Sequence, residues 1–380
     1  EPRTVLSATL YVDFGGGIGF DPGTGDRLDL LKADGTHPNA LEIEGVFGPG
    51  ITGLGAGPNV RDNSYAETDP IRIRPLAREY VGGDGFNLAD INALADDVLA
   101  IVREAVEPFD IDVVKAEAQT FEDMIGLVTS TSTNDMYVLA AELIVDGIGI
   151  NPFYPSLVDS VGAMTSIGQA AEDDLLGTGS NQQDELAIAF TDLIQELALR
   201  AGRNDKAGFI QSMARTITHE AMHTLSLQHT LKLPPSLGDV IRGEVLDGLE
   251  RYDPFIVTRA PQITGFDPAM GNFLTGVSYE IVAQQVGLRD SDGDTVPDIA
   301  YVTGTGTDDT IELRRDDANP LLVHVTVTFP SPLGGLEVFQ YDIDTGPGGD
   351  TEGTIVIAPS HGADRVLIDS RINADIRMRG

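Results

Sequence analysis

The sequence predicts a mixed α/β domain, with a twisted sheet and long helices, followed by a smaller all-β domain. Two observations carry this prediction. Up to about residue 285, apolar strands alternate with segments that have the 3.6-residue period of a helix. After about residue 300, short strands alternate with turn residues and no helical period appears. We expect a first domain at 1–289, a linker loop at 290–300 and a second domain at 301–380.

The first third of the chain predicts one strand, one long loop and one helix. Val5–Phe14 alternates between apolar and polar residues, which is typical of a half-buried strand. Residues 15–85 are rich in Gly, Pro, Asp and Asn and predict a long ordered loop or insertion. Asn87 is expected to cap a helix that Pro108 ends. Its apolar stripe consists of Ile91, Leu94, Val98, Ile101 and Ala105.

Two further strands and a second long helix complete the predicted α/β domain. The strands are expected at Phe109–Val114, directly after the first helix, and at Asp184–Phe190. The second helix should begin near Asn204 or Asp205. Its core side is predicted to carry Phe209, Ile210, Met213 and Ile217.

The second domain is predicted from short strands at Leu321–Phe329, Leu336–Tyr341, Thr354–Ile357 and Arg365–Ile368. The pattern Gly-x-Asp recurs through this part of the chain, beginning at Gly306, Gly348 and Gly362. The recurrence resembles the turns of β-solenoid tails in calcium-dependent secreted bacterial proteins. A small β-sandwich with Gly-Asp turns is the alternative.

The composition excludes several classes of partner. The chain has 60 acidic and 24 basic residues and a formal net charge of −36, which repels nucleic acid and anionic membranes and attracts divalent cations. No apolar run is long enough to span a bilayer. The absence of cysteine excludes disulfides and thiolate metal sites. The sequence begins at Glu1 without a signal region, so we expect a mature or trimmed form.

Three histidines and a glutamate form the motif with the clearest chemistry. His219 and His223 are four residues apart, so on a helix both imidazoles face the same side and can bind one ion. Glu220 lies beside them and is placed to act as a general base. His229 follows where a chain that leaves the helix after Ser226 can return to the ion. The spacing predicts a catalytic zinc site; histidines satisfied in the core or at the surface are the alternative.

The string HExxHxxSxxH, from His219 to His229, resembles the HExxHxxGxxH motif of the metzincin clan of zinc endopeptidases. The resemblance implies one catalytic zinc ion bound by the three histidines, with Glu220 as the catalytic base. In that family the glycine takes a positive φ and ends the helix. Ser226 stands in its place here, and such a conformation costs a serine about 1 kcal/mol. The substitution therefore bears on activity more than on metal binding.

The resemblance to metzincins extends over about residues 1–285. The helix that ends at Pro108 and the strand after it resemble the first helix and second strand of that family. Val161–Met164 occupies the place of the edge strand that lines the substrate cleft. Met270 resembles the methionine of the turn below the metal, with a plain core methionine as the alternative. Asn272 stands where some subfamilies have a tyrosine ligand, so no such ligand is expected.

An acidic loop lies at the predicted domain junction. Aspartates occupy positions 1, 3, 5 and 9 of this loop, as Asp290, Asp292, Asp294 and Asp298. Oxygen ligands at this spacing suit calcium, with a backbone carbonyl from position 7. A complete EF-hand requires a glutamate at position 12, where this chain has Tyr301. We expect one or more structural calcium ions here; a solvated acidic turn is the alternative.

Three functions follow from these motifs. The first is a zinc endopeptidase that hydrolyses proteins or peptides through a zinc-activated water and Glu220. The second is a calcium- and zinc-binding surface or matrix module with little or no turnover, which Ser226 and the acidic β domain motivate. The third is a zinc hydrolase that acts on other substrates. The resemblances imply a secreted or cell-surface bacterial protein, and the sequence indicates no oligomeric state.

Overall fold

The computed structural model describes residues 8–15, 18, 23, 28–47, 68, 70–76, 91–128, 135–145, 148–149, 168–170, 186–191, 194, 205–225, 227, 262–267, 272–276, 278–304, 308–330, 335–359 and 363–379. These residues form helices and several sheets, so the predicted mixed α/β architecture is confirmed at this level. Within this part of the chain, no helix combines the length and the apolar character that a bilayer span requires.

The largest sheet has seven strands, which are β1 (Ala8–Asp13), β2 (Arg72–Pro75), β3 (Ile111–Ala116), β4 (Met136–Val145), β5 (Ile148–Gly149), β6 (Gly168–Ala170) and β7 (Leu186–Phe190). Its main path has the order β3-β1-β4-β7-β6, and β2 and β5 both pair with β4. The first four strands of this path are parallel, whereas β6 is antiparallel to β7. Every residue of β7 is buried, as expected for a strand covered on both faces.

Five helices accompany this sheet among the described residues: α1 (Ala40–Phe47), α2 (Ile91–Val106), α3 (Phe121–Val128), α4 (Lys206–Thr224) and α5 (Ser278–Val286). The two long helices, α2 and α4, pack against each other. Helix α4 also contacts β4, β6 and β7, whereas α3 contacts β4. Buried side chains of all five helices belong to one apolar core with those of the sheet.

The strands predicted at Val5–Phe14, Phe109–Val114 and Asp184–Phe190 correspond to β1, β3 and β7, and the face of α2 needs a small correction. Strand β1 buries Ala8, Leu10 and Val12 on one face, as alternation predicted. The predicted stripe of α2 included Ile101 and Ala105, which are both half-buried, although Ile101 still packs against the core. The core side contains the predicted Leu94 and Val98 together with Ala95, Leu99, Val102 and Val106. Because α2 is covered by both the sheet and α4, its buried face is wider than one stripe.

The prediction of a long loop over residues 15–85 is wrong for two of its segments. This region contains α1 and β2, and β2 joins the main sheet. Helix α1 begins with a reciprocal cap: the Asn39 N–H donates to Glu42 Oε2 at 2.8 Å, and the Glu42 N–H donates to Asn39 Oδ1 at 2.9 Å. Turn-forming residues on both sides of a helix of only eight residues concealed it.

The rest of the described chain is almost entirely β structure. A two-stranded sheet is formed by β8 (Gln262–Asp267) and β9 (Asn272–Gly276). Beyond α5, two sheets contain β10 (Ile299–Thr303), β11 (Thr310–Arg315), β12 (Leu322–Pro330), β13 (Leu336–Asp344), β14 (Thr354–Ala358), β15 (Arg365–Ile368) and β16 (Asp375–Met378). Their orders are β10-β14-β16 and β13-β12-β11-β15. All four strands predicted beyond residue 320 are therefore present.

Beyond α5, the chain passes back and forth between these two sheets, so that its successive turns form a coil. Strands β10, β14 and β16 pair in parallel, as do β11 and β15, while the antiparallel pair β12–β13 is inserted between coils. The turns before β11 and β15 bond reciprocally, since Ala363 N–H donates to Asp308 and Asp309 N–H donates to Asp364, both at 2.8 Å. Two of the three aspartates of the Gly-x-Asp recurrence, Asp308 and Asp364, therefore lie in neighbouring turns, and the two facing sheets enclose a common apolar core.

The coiled β part packs directly on the α/β part. Ile299, Tyr301 and Val356 point away from the core of the two facing sheets and belong to the large apolar core of the first part. At the edge of this contact, Arg379 forms ion pairs with Glu104 and Glu107 near the end of α2. The acidic loop at 290–298 thus connects two parts that already share a packed surface.

Candidate metal centre

Helix α4 places the first three residues of the predicted zinc site. Asp205 caps this helix, accepting a hydrogen bond from the Gly208 N–H at 2.6 Å, so the predicted start is confirmed. The predicted core residues Phe209, Ile210, Met213 and Ile217 are all buried. Because these residues fix the rotation of the helix, they also fix the direction of the histidine side chains one to three turns later.

The imidazoles of His219 and His223 face each other. Their Nε2 atoms are 3.0 Å apart, and the ring centroids are 4.6 Å apart with an interplanar angle of 88°. The other ring nitrogen of His223, Nδ1, lies 2.7 Å from the carbonyl oxygen of Leu227. A carbonyl only accepts hydrogen bonds, so Nδ1 carries the proton and Nε2 of His223 presents its lone pair.

This geometry fits a shared metal ion. Two nitrogens bound to tetrahedral zinc at about 2.0–2.1 Å lie about 3.3 Å apart, close to the 3.0 Å between the two Nε2 atoms. A ligating histidine commonly donates its other N–H to a backbone carbonyl, as His223 does to Leu227. The same separation also suits a direct N–H···N hydrogen bond, which is the arrangement expected of two core histidines without a metal.

Glu220 is buried beside this pair. It is 3% exposed and His219 is 7% exposed, whereas His223 is half-buried. Removing a carboxylate from water is costly, so a buried glutamate directly after a buried histidine on one helix is more typical of a functional site than of a core. The structure thus brings the two imidazoles together and buries Glu220 on the same helix, whereas the roles of base and zinc ligands stay predictions.

The chain leaves α4 earlier than predicted. The helix ends at Thr224, and Leu225 is its C-cap with φ −90° and ψ 21°. The N–H groups of Leu225 and Leu227 both donate to the carbonyl of Met222 at 3.1 Å. From α5, the Gln285 amide donates to the Leu225 carbonyl at 2.9 Å. The exit of the helix is therefore held by both local and distant hydrogen bonds.

Four of the predicted features of the site lie outside the described residues: Ser226, His229, Met270 and the edge strand at Val161–Met164; the predicted helix cap Asn87 does as well. The described edge of the main sheet on the α4 side is β6, which begins four residues after the predicted segment. Strand β6 contacts α4, so a sheet edge lies next to the helix that carries the histidines.

The acidic loop brings three of its four aspartates together. One carboxylate oxygen from each of Asp290, Asp292 and Asp294 lies within 4.8 Å of the others. Asp290 accepts hydrogen bonds from the backbone N–H groups of Gly293 at 2.8 Å and Thr295 at 2.7 Å. Although partial burial opposes it, these bonds hold the pKa of Asp290 below its ordinary value. Both donors have positive φ, 78° for Gly293 and 77° for Thr295.

The fourth aspartate has a different role in the loop. Asp298 accepts hydrogen bonds from the Ser291 N–H at 3.0 Å and from the Ser291 hydroxyl at 3.3 Å. Its carbonyl accepts one from the Thr351 hydroxyl at 3.2 Å. Asp298 therefore closes the loop and joins it to the chain that precedes β14.

Glu352 is an acidic neighbour of this loop that the sequence did not reveal. Its N–H donates to the Pro297 carbonyl at 3.1 Å. The negative charges of Asp292, Asp298, Asp294 and Asp290, together with partial desolvation, raise the pKa of Glu352. The largest of these effects comes from Asp292. Only the packing of the loop before β14 against the 290–298 loop brings Glu352 there, so no local spacing indicates it.

In comparisons with known proteins, no family model, no curated protein and no solved structure matches this chain.

Proposed function

We propose that this protein is a zinc-dependent endopeptidase. The observation that carries the proposal is the pair of Nε2 atoms of His219 and His223, 3.0 Å apart, with the His223 tautomer fixed by the Leu227 carbonyl. His229 is proposed as the third ligand, from its spacing in the sequence. Three imidazoles leave one position of a tetrahedral ion open, as catalytic zinc sites do.

In the proposed reaction, the histidines of α4 bind the metal and Glu220 transfers the proton. His219, His223 and His229 would hold the zinc ion, which would supply a Lewis acid for water and for the carbonyl of the scissile peptide bond. Glu220 accepts the proton of the attacking water and passes it to the nitrogen of the leaving amine. Burial of Glu220 keeps bulk water from its carboxylate and strengthens its electrostatic interaction with the reacting groups.

A peptide substrate suits the edge of the main sheet. Among the described strands, β6 lies at one end of the sheet and contacts α4, so an extended peptide that pairs with this edge would pass close to the helix that carries the histidines. The net charge of −36 argues against nucleic acid as a substrate. We propose that protein or peptide chains are hydrolysed, outside the cell or at its surface.

A structural calcium ion is proposed for the acidic loop. Support comes from the carboxylates of Asp290, Asp292 and Asp294, which lie within 4.8 Å of one another. Calcium prefers hard oxygen ligands of this kind, whereas the proposed zinc ion is bound through imidazole nitrogens. The ion would offset the repulsion among these acids where the two parts of the chain meet.

The proposal is tested by Glu220→Gln, measured for casein or gelatin hydrolysis and for zinc content. We expect zinc to be retained and turnover to fall by about 10²–10⁴-fold, because the glutamine cannot take up the proton of water. Glu280→Gln, at an exposed position of α5, is the matched control and should leave turnover unchanged.

Two results contradict the endopeptidase. Near-normal turnover in Glu220→Gln would refute the role of the base. A wild-type protein that binds zinc but cleaves no protein or peptide would favour the second function, a metal-binding surface or matrix module.

A further inference from the structure

The two hydrogen bonds that hold the exit of α4 lie on either side of Ser226. On one side, the carbonyl of Leu225 accepts from the Gln285 amide at 2.9 Å. On the other side, the carbonyl of Leu227 accepts from Nδ1 of His223 at 2.7 Å. The carbonyl that fixes the His223 tautomer is therefore two residues from the carbonyl that Gln285 holds.

Gln285 belongs to a firmly anchored helix. In α5, Tyr279, Val282 and Val286 are at most 4% exposed and are part of the main core, where the Tyr279 ring lies 5.4 Å from that of Phe109. Gly287 ends α5 with a φ of 83°, and its N–H donates to the Ala283 carbonyl at 3.0 Å. The amide of Gln285 is thus presented from a fixed support.

The Leu225 carbonyl needs such a donor. The last carbonyls of a helix have no partner within the helix, and Leu225 is only 2% exposed. A buried acceptor that loses its donor pays the full cost of desolvation, so the chain would shift to find another one. A shift at Leu225 would displace Leu227, which follows two residues later and donates to the same Met222 carbonyl.

We propose that Gln285 is a positioning residue for the metal centre, acting through Leu225 and Leu227 on His223. This inference rests on the proposed function because that function supplies the zinc ion. The hydrogen bonds that link Gln285 to His223 do not depend on it. Gln285 holds the exit of α4, the Leu227 carbonyl then holds the Nδ1 proton of His223, and the Nε2 lone pair of His223 stays directed at His219. Residues of this kind commonly change metal affinity about 10–100-fold.

The test uses two substitutions and a matched control. Gln285→Met removes the donor at nearly constant size and helix propensity. Gln285→Lys keeps a donor at the same position. Gln284→Met makes the same chemical change at the exposed neighbouring residue of α5. Zinc affinity is measured by competition with a chelator, and the tautomer of His223 in the metal-free protein is read from long-range ¹H–¹⁵N NMR spectra.

We expect Gln285→Met to weaken zinc binding by about tenfold, near the lower end of the range for such residues because it acts through two carbonyls. The metal-free His223 should change from a single Nδ1–H tautomer to a mixture. Gln285→Lys should restore most of the affinity, and Gln284→Met should change neither quantity. A purely structural role would lower the unfolding midpoint without altering the tautomer.

Zinc affinity and tautomer in Gln285→Met equal to those of the wild type would overturn the inference, as would equal losses in Gln284→Met. If the wild-type protein binds no zinc, the proposed function fails by itself. The tautomer of the metal-free variants still decides the role of Gln285 in that case.

Discussion

The two candidate metal regions of this protein are built in opposite ways. His219, Glu220 and His223 lie on a helix whose direction is set by packing against α2 and the main sheet, and they are buried or half-buried. The loop from Asp290 to Asp298 is largely exposed and is held mainly by hydrogen bonds among its own residues. One region is positioned by tertiary packing, the other by local backbone geometry.

This difference indicates which interactions maintain the geometry of each region. The imidazole pair has few charges and needs precise side-chain directions, so it depends on the core and on distant contacts such as Gln285 with Leu225. The acidic loop has its geometry locally, but it carries concentrated negative charge that only a cation offsets well. Changes in packing should therefore affect the first region, and changes in ions the second.

Among the changes that distinguish the two regions, calcium binding to the acidic loop should have the largest effect on the free energy of unfolding. At a free concentration about 100 times the dissociation constant, a bound ion adds about 2.7 kcal/mol to the free energy of unfolding, measured by thermal or denaturant unfolding at fixed zinc. The double substitution Asp292→Ala with Asp294→Ala should remove most of this gain, because two of the three clustered carboxylates are lost. Equal melting of the metal-stripped wild type with and without calcium would show that the loop is a solvated turn.

A smaller effect is expected from Glu352→Gln in calcium-free buffer. The charge of Asp292 and its neighbours raises the folded-state pKa of Glu352 above the ordinary 4.5. A raised pKa means that the contribution of Glu352 to stability is fully present below pH 4.5 and is lost as the pH rises through the folded-state value. At pH 7 the glutamine variant should therefore melt higher than the wild type, and the difference should shrink at high salt.

Calcium should reduce or reverse that difference, since the bound cation neutralises the acids that repel Glu352. A wild type that melts higher than Glu352→Gln without calcium at pH 7 would contradict the repulsion. The same comparison at pH 3 should show little difference, because Glu352 is protonated there.

Hydrophobic periodicity predicted the features of the fold that depend on the sequence of a single helix or strand. The start of α4 at Asp205, its buried residues and the paired directions of His219 and His223 all follow from helical spacing. The short helices were missed because the flanking turn residues outweigh their few apolar positions. A signal for them existed: Asn39 with Glu42, and Thr120 with Asp123, form reciprocal caps at the starts of α1 and α3.

Contacts between segments that are distant in the sequence could not be predicted, because no local sequence pattern indicates them. Gln285 reaches Leu225 only after α5 packs on the core, and Glu352 reaches the acidic loop only after the second coil stacks on the first. The β12–β13 hairpin was predicted as strands, but its insertion between two coils follows from parallel pairing that a single strand pattern does not encode. Local chemistry therefore predicted the ligand candidates, and tertiary packing supplied the residues around them.

The metal content of the purified protein tests the central claim most directly. Zinc and calcium are both supplied, excess ions are removed, and bound zinc per molecule is measured by inductively coupled plasma mass spectrometry. The wild type should retain about one zinc ion. His223→Ala should lose it, whereas the substitution His324→Ala, at a histidine of β12 with a 43% exposed side chain, and the double aspartate substitution should both retain it. Full zinc occupancy in His223→Ala, or loss of zinc from the aspartate variant, would contradict two independent sites with the imidazole pair as the zinc ligands.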